Sequence, residues 1–248
     1  MKKIKIILIV SLIICIGIVF YPTKNSCENG DDSCIISYII NPKNQELKLY
    51  WKNKQGKNYL NFENLKTELE KNNQALVFAM NGGIYRQDNS SPLGLFIEEG
   101  IVKTKINNVK EASGNFYLQP NGIFLLTDDN RADVCKTSDY KEYKNIKYAT
   151  QSGPMLIIDG LLNSKFNKGS KNRYIRNGVG ILPDGRIIFA ISKKKINFFD
   201  FATFFKNKGC KNALYLDGYV SKCYLPSKKQ KEMNGKFGVI IAETKFKN

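Results

Sequence analysis

Residues 178–192 read GVGILPDGRIIFAIS. Two apolar runs, Gly178–Leu182 and Arg186–Ser192, flank Pro183-Asp184-Gly185. Proline presets φ for a turn and Asp-Gly supplies the flexible corner, so the stretch predicts a β-hairpin. Reading outward toward the C-terminus, Phe198–Lys206 places Phe198, Phe201, Ala202 and Phe205 on one face at helical spacing. Ala213–Leu216 is a strand-like run that ends on Asp217-Gly218, and Phe237–Glu243 reads as a closing strand. Toward the N-terminus, Pro154–Asp159 predicts a strand, and Gly114–Leu118 with Gly122–Leu126 predict two more around Pro120-Asn121-Gly122. Leu93–Glu98, Leu76–Met80 and Leu47–Trp51 read as further strands, with a short apolar run at Ile35–Ile40. Phe62–Lys71 carries Phe62, Leu65 and Leu69 on one helical face. Many strands and two principal helices imply an α+β fold, a mixed or antiparallel β core with a few flanking helices. The expected organisation is one domain, 35–248, behind an N-terminal hydrophobic anchor at 1–21 and a polar linker at 22–34.

The chain has 248 residues and a 42% hydrophobic share with 15 Phe and 13 Tyr, enough for a sizeable core. It contains no histidine, which removes Ser-His-Asp and Cys-His nucleophile systems and any His-liganded zinc. Chemistry in this chain must rest on Asp, Glu, Arg, Lys, Tyr, Ser, Cys or a bound ion. Net charge is +17, which suits anionic partners in general. The lysines are scattered and no nucleic-acid-binding signature is present, so nucleic acid is not an expected partner. No metal-ligand cluster or cofactor motif stands out, and no cofactor is expected.

Met1-Lys2-Lys3-Ile4-Lys5 is a basic segment followed by the uncharged run Ile6–Tyr21. The lysines place the N-terminus inside and the remainder outside, with membrane attachment through this anchor. No small-residue cleavage site follows it, which favours an uncleaved signal anchor over a cleaved signal peptide. Large Ile14 before Cys15 argues against a lipoprotein. Beyond the anchor stand Cys27, Cys34, Cys135, Cys210 and Cys223. By proximity, Cys27 can pair with Cys34 and Cys210 with Cys223, and an odd count leaves at least one unpaired within the chain.

Four glycine-rich strand ends carry the candidate chemistry: Asn81-Gly82-Gly83, Gln151-Ser152-Gly153, Arg173–Gly180 and Leu216-Asp217-Gly218. Glycines let backbone approach a ligand closely. Arg176, with Arg173, offers planar forks for a phosphate. Asn81, Gln151, Ser152 and Asn177 offer hydrogen bonds to sugar hydroxyls or phosphate oxygens. Asp217 is a candidate nucleophile or general base, as carboxylates are in glycoside cleavage. A phosphate leaving group needs little protonation, so arginine can stand in for a general acid.

The ordered set Asn81-Gly82-Gly83, Gln151-Ser152-Gly153-Pro154-Met155-Leu156, Arg176-Asn177-Gly178-Val179-Gly180 and Leu216-Asp217-Gly218 resembles the phosphodiester glycosidase family (the N-acetylglucosamine-1-phosphodiester alpha-N-acetylglucosaminidase type). It is most similar to the short, exported bacterial branch, over roughly residues 75–243. Ser91-Pro92-Leu93-Gly94-Leu95 and Gly114–Leu118 share the likeness. The resemblance implies hydrolysis of a sugar-1-phosphodiester at the glycosidic bond, and hence a phosphorylated carbohydrate as partner. It implies a site of Asn81, Gly82, Ser152, Gly153, Arg176, Asp217, Gly218 and Ser221, to which the residue reading adds Gly83, Gln151, Arg173 and Asn177. Tyr219 stands where the family usually has a second glycine, so a narrowed or altered pocket, or a module that binds anionic glycopolymer or nucleotide-sugar without cleaving it, is the alternative expectation.

Overall fold

A computed structural model describes residues 27–88, 90–141, 145–217 and 219–247. The expected anchor and Gly218 lie outside the described residues. In chain order the strands are β1 (Ile35–Ile40), β2 (Glu46–Tyr50), β3 (Gln74–Gly82), β4 (Phe96–Glu98), β5 (Ile101–Thr104), β6 (Gly122–Thr127), β7 (Ala132–Lys136) and β8 (Ile146–Ser152). They continue with β9 (Met155–Ile158), β10 (Leu161–Leu162), β11 (Asn177–Ile181), β12 (Ile187–Ser192), β13 (Ala213–Tyr215), β14 (Cys223–Leu225), β15 (Gln230–Lys231) and β16 (Val239–Phe246). Helix α1 spans Phe62–Lys71 and α2 spans Phe198–Asn207.

The hairpin forms as its turn residues require. Strands β11 and β12 run antiparallel with Ile181 opposite Ile187, and the Leu182 N–H donates to the Arg186 carbonyl at 2.8 Å. This hairpin seeds a six-stranded sheet ordered β1-β12-β11-β13-β9-β10. A second sheet runs β15-β14-β3-β16-β2 and a third runs β5-β4-β8-β6-β7. The pairings among the described strands are antiparallel, and the fold is α+β.

All three sheets turn one face to a common core. Period-2 alternation sorts β12 cleanly: Ile187, Phe189 and Ile191 enter that core, whereas Ile188 and Ala190 face α2. Strand β6 does the same, with Phe124 and Leu126 inward and Ile123 and Leu125 in a separate apolar cluster. Helix α2 packs on the first sheet, and α1 packs Phe62, Leu65 and Leu69 against Ala79, Ile240 and Ala242 of the second. Asn61 caps α1, and Asn197 caps α2 by accepting the Asp200 N–H at 2.8 Å. Gly180 lets α2 approach closely, since a Cβ there would lie 2.8 Å from both Cys210 Sγ and Phe205 Cδ1.

The described part of the segment read as a linker, 27–34, packs on α2. Cys27 and Cys34 form a disulfide, and the Asn29 N–H donates to Asp200 Oδ1 at 2.9 Å. The pairing of Cys210 with Cys223 does not form. Cys210 lies in the core under α2 while Cys223 faces the central core from β14, so the first sheet's packing separates them. Burial pushes both thiols up to about 12. Gly114–Leu118 is not a strand either: Asn115–Tyr117 forms a 3-10 turn around buried Phe116. The Asn121 side chain bonds the Phe116 carbonyl at 3.2 Å, giving that backbone a partner other than a neighbouring strand. No helix among the described residues is long and apolar enough to cross a membrane.

Candidate active site

The strand ends at Asn81, Ser152, Asn177 and Asp217 converge where the sheets meet. Asn177, first residue of β11, is the hub. Its Nδ2 donates to the Asn81 carbonyl at 2.8 Å and to Asn81 Oδ1 at 3.1 Å, and its Oδ1 accepts the Asp217 N–H at 2.9 Å. Asn81 Nδ2 donates to Asp217 Oδ2 at 3.4 Å, and Asn81 Oδ1 accepts the Lys222 N–H at 2.8 Å. Ser152 Oγ donates to the Leu216 carbonyl at 2.5 Å, fixing the residue before Asp217. Ser221 Oγ donates to the Asp217 carbonyl and lies 3.2 Å from the Ile175 carbonyl.

Asp217 is 4% exposed. Burial raises its carboxyl to about 6, opposed by hydrogen bonds from the Tyr219 N–H, the Asn81 amide and the Val220 N–H. No ion pair neutralises it among the described residues. Among the side chains of this network it is the sole carboxylate. The arrangement therefore holds one proton-accepting group on a bed of amides, poised near neutral pH.

Other expected residues sit elsewhere. Arg176 is 0% exposed and lies on the α2 side. Its Nε donates to the Ile196 carbonyl at 2.9 Å, its Nη2 to the Asn172 carbonyl at 3.0 Å and to Asn172 Oδ1 at 2.8 Å, and the guanidinium stacks 3.6 Å from the Phe198 ring centroid. No hydrogen bond or ion pair joins it to Asp217. Neighbouring positions on a strand point to opposite faces, so Arg176 turns away where Asn177 turns in. Arg173 is partly exposed, with Nε on the Lys195 carbonyl at 3.3 Å. Gln151 faces away from Asp217: its Oε1 accepts from the Leu95 and Asn107 N–H groups, both at 2.9 Å, and so it ties two loops together. Gly83 holds φ +75°, and a Cβ at Gly82 or Gly153 would meet Ile241 at 2.5 Å or Asn121 at 2.7 Å. A side chain at Gly82 or Gly153 would therefore not fit beside these neighbours.

Tyr219 is 85% exposed. It edges a cavity of about 520 Å³ whose walls include Tyr174, Ile175, Lys193, Lys195 and Ser221. Sequence reading did not single out Lys193, Lys195 or Lys222 for this region. The available signal was the Lys193-Lys194-Lys195 run at the end of β12, opposite Arg173-Tyr174. Among the described residues no group of three or more Cys, Asp or Glu side chains is placed to hold a metal ion.

The phosphodiester glycosidase family model matches residues 74–237. The chain belongs to that family. A protein of Escherichia coli K12, the uncharacterized protein YigE, is 34% identical over 208 residues, spanning 83% of this phosphodiester glycosidase family chain and 80% of its own. The zebrafish N-acetylglucosamine-1-phosphodiester alpha-N-acetylglucosaminidase catalytic domain, auto-inhibited by its pro-peptide, shares the fold with a TM-score of 0.58 at 14% identity, over 84% of this chain and 81% of that one. A hypothetical protein from Synechocystis shares it with a TM-score of 0.52 at 12% identity, over 85% and 59% of the respective chains. The family match covers all four strand ends, so family membership and the convergence at Asn177 concern the same residues.

Proposed function

We propose that this family member is an exported hydrolase that cleaves the glycosidic bond of a sugar-1-phosphodiester in an envelope or extracellular glycan. The observation that carries the reading is Asp217, a buried carboxylate raised to about 6 and held by Asn81 and the Tyr219 N–H. As general base it takes a proton from water as the water oxygen bonds the anomeric carbon. The bond from that carbon to the phosphate oxygen breaks, and a phosphomonoester leaves with the electron pair. Such a leaving group needs no general acid, which suits a network with one carboxylate. Asn81, Asn177 and Ser221 position the carboxylate and the sugar. Arg176 serves as a positioning residue that clamps the turn before β11. Asp217 is 4% exposed, so the reaction requires its carboxyl to become accessible to substrate and water.

Export rests on the apolar run at 6–21 and is in keeping with the Cys27–Cys34 disulfide, which suits an oxidising compartment. The anchor would hold the domain on the extracytoplasmic side of the membrane.

The test is release of free sugar from an N-acetylglucosamine-1-phosphodiester by the wild type and by Asp217→Asn. Turnover lost in the folded variant supports the reading, and equal turnover in both overturns it. The near-complete cover over Asp217 also favours a second reading, a module that binds anionic glycopolymer or nucleotide-sugar without cleavage. That reading expects saturable binding with no turnover by the wild type, and gain of cleavage in Tyr219→Gly.

A further inference from the structure

We infer that the basic, tyrosine-edged cleft beside Ser221 binds the leaving-group side of the substrate, and that this side carries phosphates beyond the scissile one. The inference rests on the glycosidase reading above and names the substrate class. The cleft begins where the Asp217 platform ends, since Ser221 belongs to both: its hydroxyl donates to the Asp217 carbonyl, and it lines the cavity. At about 520 Å³ the space is of the size that holds a drug-sized ligand, more than a lone phosphate needs.

Charge says what fills it. Lys193, Lys195 and Lys222 line the cleft, and Arg173 adjoins it through its bond to the Lys195 carbonyl. Against these four cations stands Glu232, already paired with Lys222 at 2.6 Å. Among the described residues no carboxylate forms an ion pair with Lys193, Lys195 or Arg173. Like charges gathered this way repel unless an anion sits among them. In the proposed reaction the sugar is neutral and the departing group is a phosphomonoester, so the cations belong to the phosphate side of the bond that breaks.

Tyr174 exchanges backbone hydrogen bonds with Ile196 at 3.1 and 2.8 Å, which holds one wall, while Lys193 Nζ donates to the Ser33 carbonyl at 2.8 Å, outside the cleft's lining. Tyr174, 53% exposed, and Tyr219 present amphipathic rings that pack on the apolar edges of a glycerol or sugar unit between phosphates. Tyr219 thus edges the leaving-group cleft while its N–H bonds Asp217 Oδ1 at 3.0 Å.

Two substrates test this: N-acetylglucosamine-1-phosphate esterified to methanol, and the same sugar phosphate esterified to a tri(glycerol phosphate). Wild type is expected to show about tenfold higher kcat/KM for the longer substrate at low salt, with the preference shrinking as salt rises. In K193A/K195A the ratio between the substrates falls toward one. Equal kcat/KM for both substrates in wild type, or an unchanged ratio in the variant, overturns the inference. If wild type cleaves neither, the glycosidase reading has failed, and calorimetric titration with tri(glycerol phosphate) alone tests the cleft. Salt-sensitive binding that K193A/K195A loses then supports the cleft, and absence of binding by wild type overturns it.

Discussion

Burying a carboxylate with no cation beside it costs free energy, and hydrogen bonds offset only part of the cost. Asp217 shows the remainder in its rise to about 6. The native state keeps the proton to about pH 6, whereas the unfolded chain gives it up near pH 4. Between those values the native state binds more protons than the unfolded one, so stability falls as pH rises through the window and the full cost is present above it. Asp217→Asn removes that slope. Its stability relative to wild type should grow by about 3 kcal/mol between pH 4 and pH 7, as read from urea midpoints at each pH. The same proton governs activity with the opposite benefit: kcat/KM should fall about tenfold per pH unit below pH 6, because the base must be ionised. Arg176 makes a different demand. Its three nitrogen-to-oxygen bonds hold the turn before β11, so Arg176→Ala should cost about 3–4 kcal/mol. Lysine should not rescue it, since it lacks the planar fork. At this scale Asn81, Ser152, Asn177 and Asp217 were singled out in the sequence because each lies at or near the end of a strand-like run beside glycines, whereas Ser221 was named through the family resemblance. The role of Gln151 was not, because its partners Leu95 and Asn107 come from loops far along the chain.

Elements whose signals are local were read correctly from sequence. The Pro183-Asp184-Gly185 turn produced its hairpin, and both helices appeared where apolar residues recur at helical spacing. Gly114–Leu118 misled because Phe116, Tyr117 and Leu118 are contiguous apolar residues without alternation, and one buried ring is enough to anchor a turn. The cysteine pairing depended on which face of which sheet each thiol occupies, and spacing along the chain does not encode that. The contact of α2 with β11 also shows why the strand reads Gly-Val-Gly. A methyl at Gly180 would press on Cys210 and Phe205, so Gly180→Ala should lower stability by about 1–3 kcal/mol, visible as a depressed Tm. Because β11 also carries Asn177, the same substitution should reduce turnover in proportion to any shift of that side chain.

For the whole molecule, three antiparallel sheets share a core, and the site forms where their strand ends meet. The α+β class was legible from strand and helix count. The sheet order was not, since β1 and β12 pair across some 150 residues of chain without a local signal. The surplus of positive charge was legible only as a total of +17, and its meaning came from position: Lys193 and Lys195 lie at the cleft beside Ser221 with no carboxylate ion pair among the described residues, while Lys222 there pairs with Glu232. In the proposed reaction the bond broken joins sugar to oxygen, not oxygen to phosphorus. Hydrolysis of an N-acetylglucosamine-1-phosphodiester in ¹⁸O-labelled water decides it, with the phosphomonoester product weighed by mass spectrometry. A product free of ¹⁸O, formed by wild type and not by Asp217→Asn, is the expected result. Label in the phosphomonoester, or no turnover by the folded wild type, would contradict it.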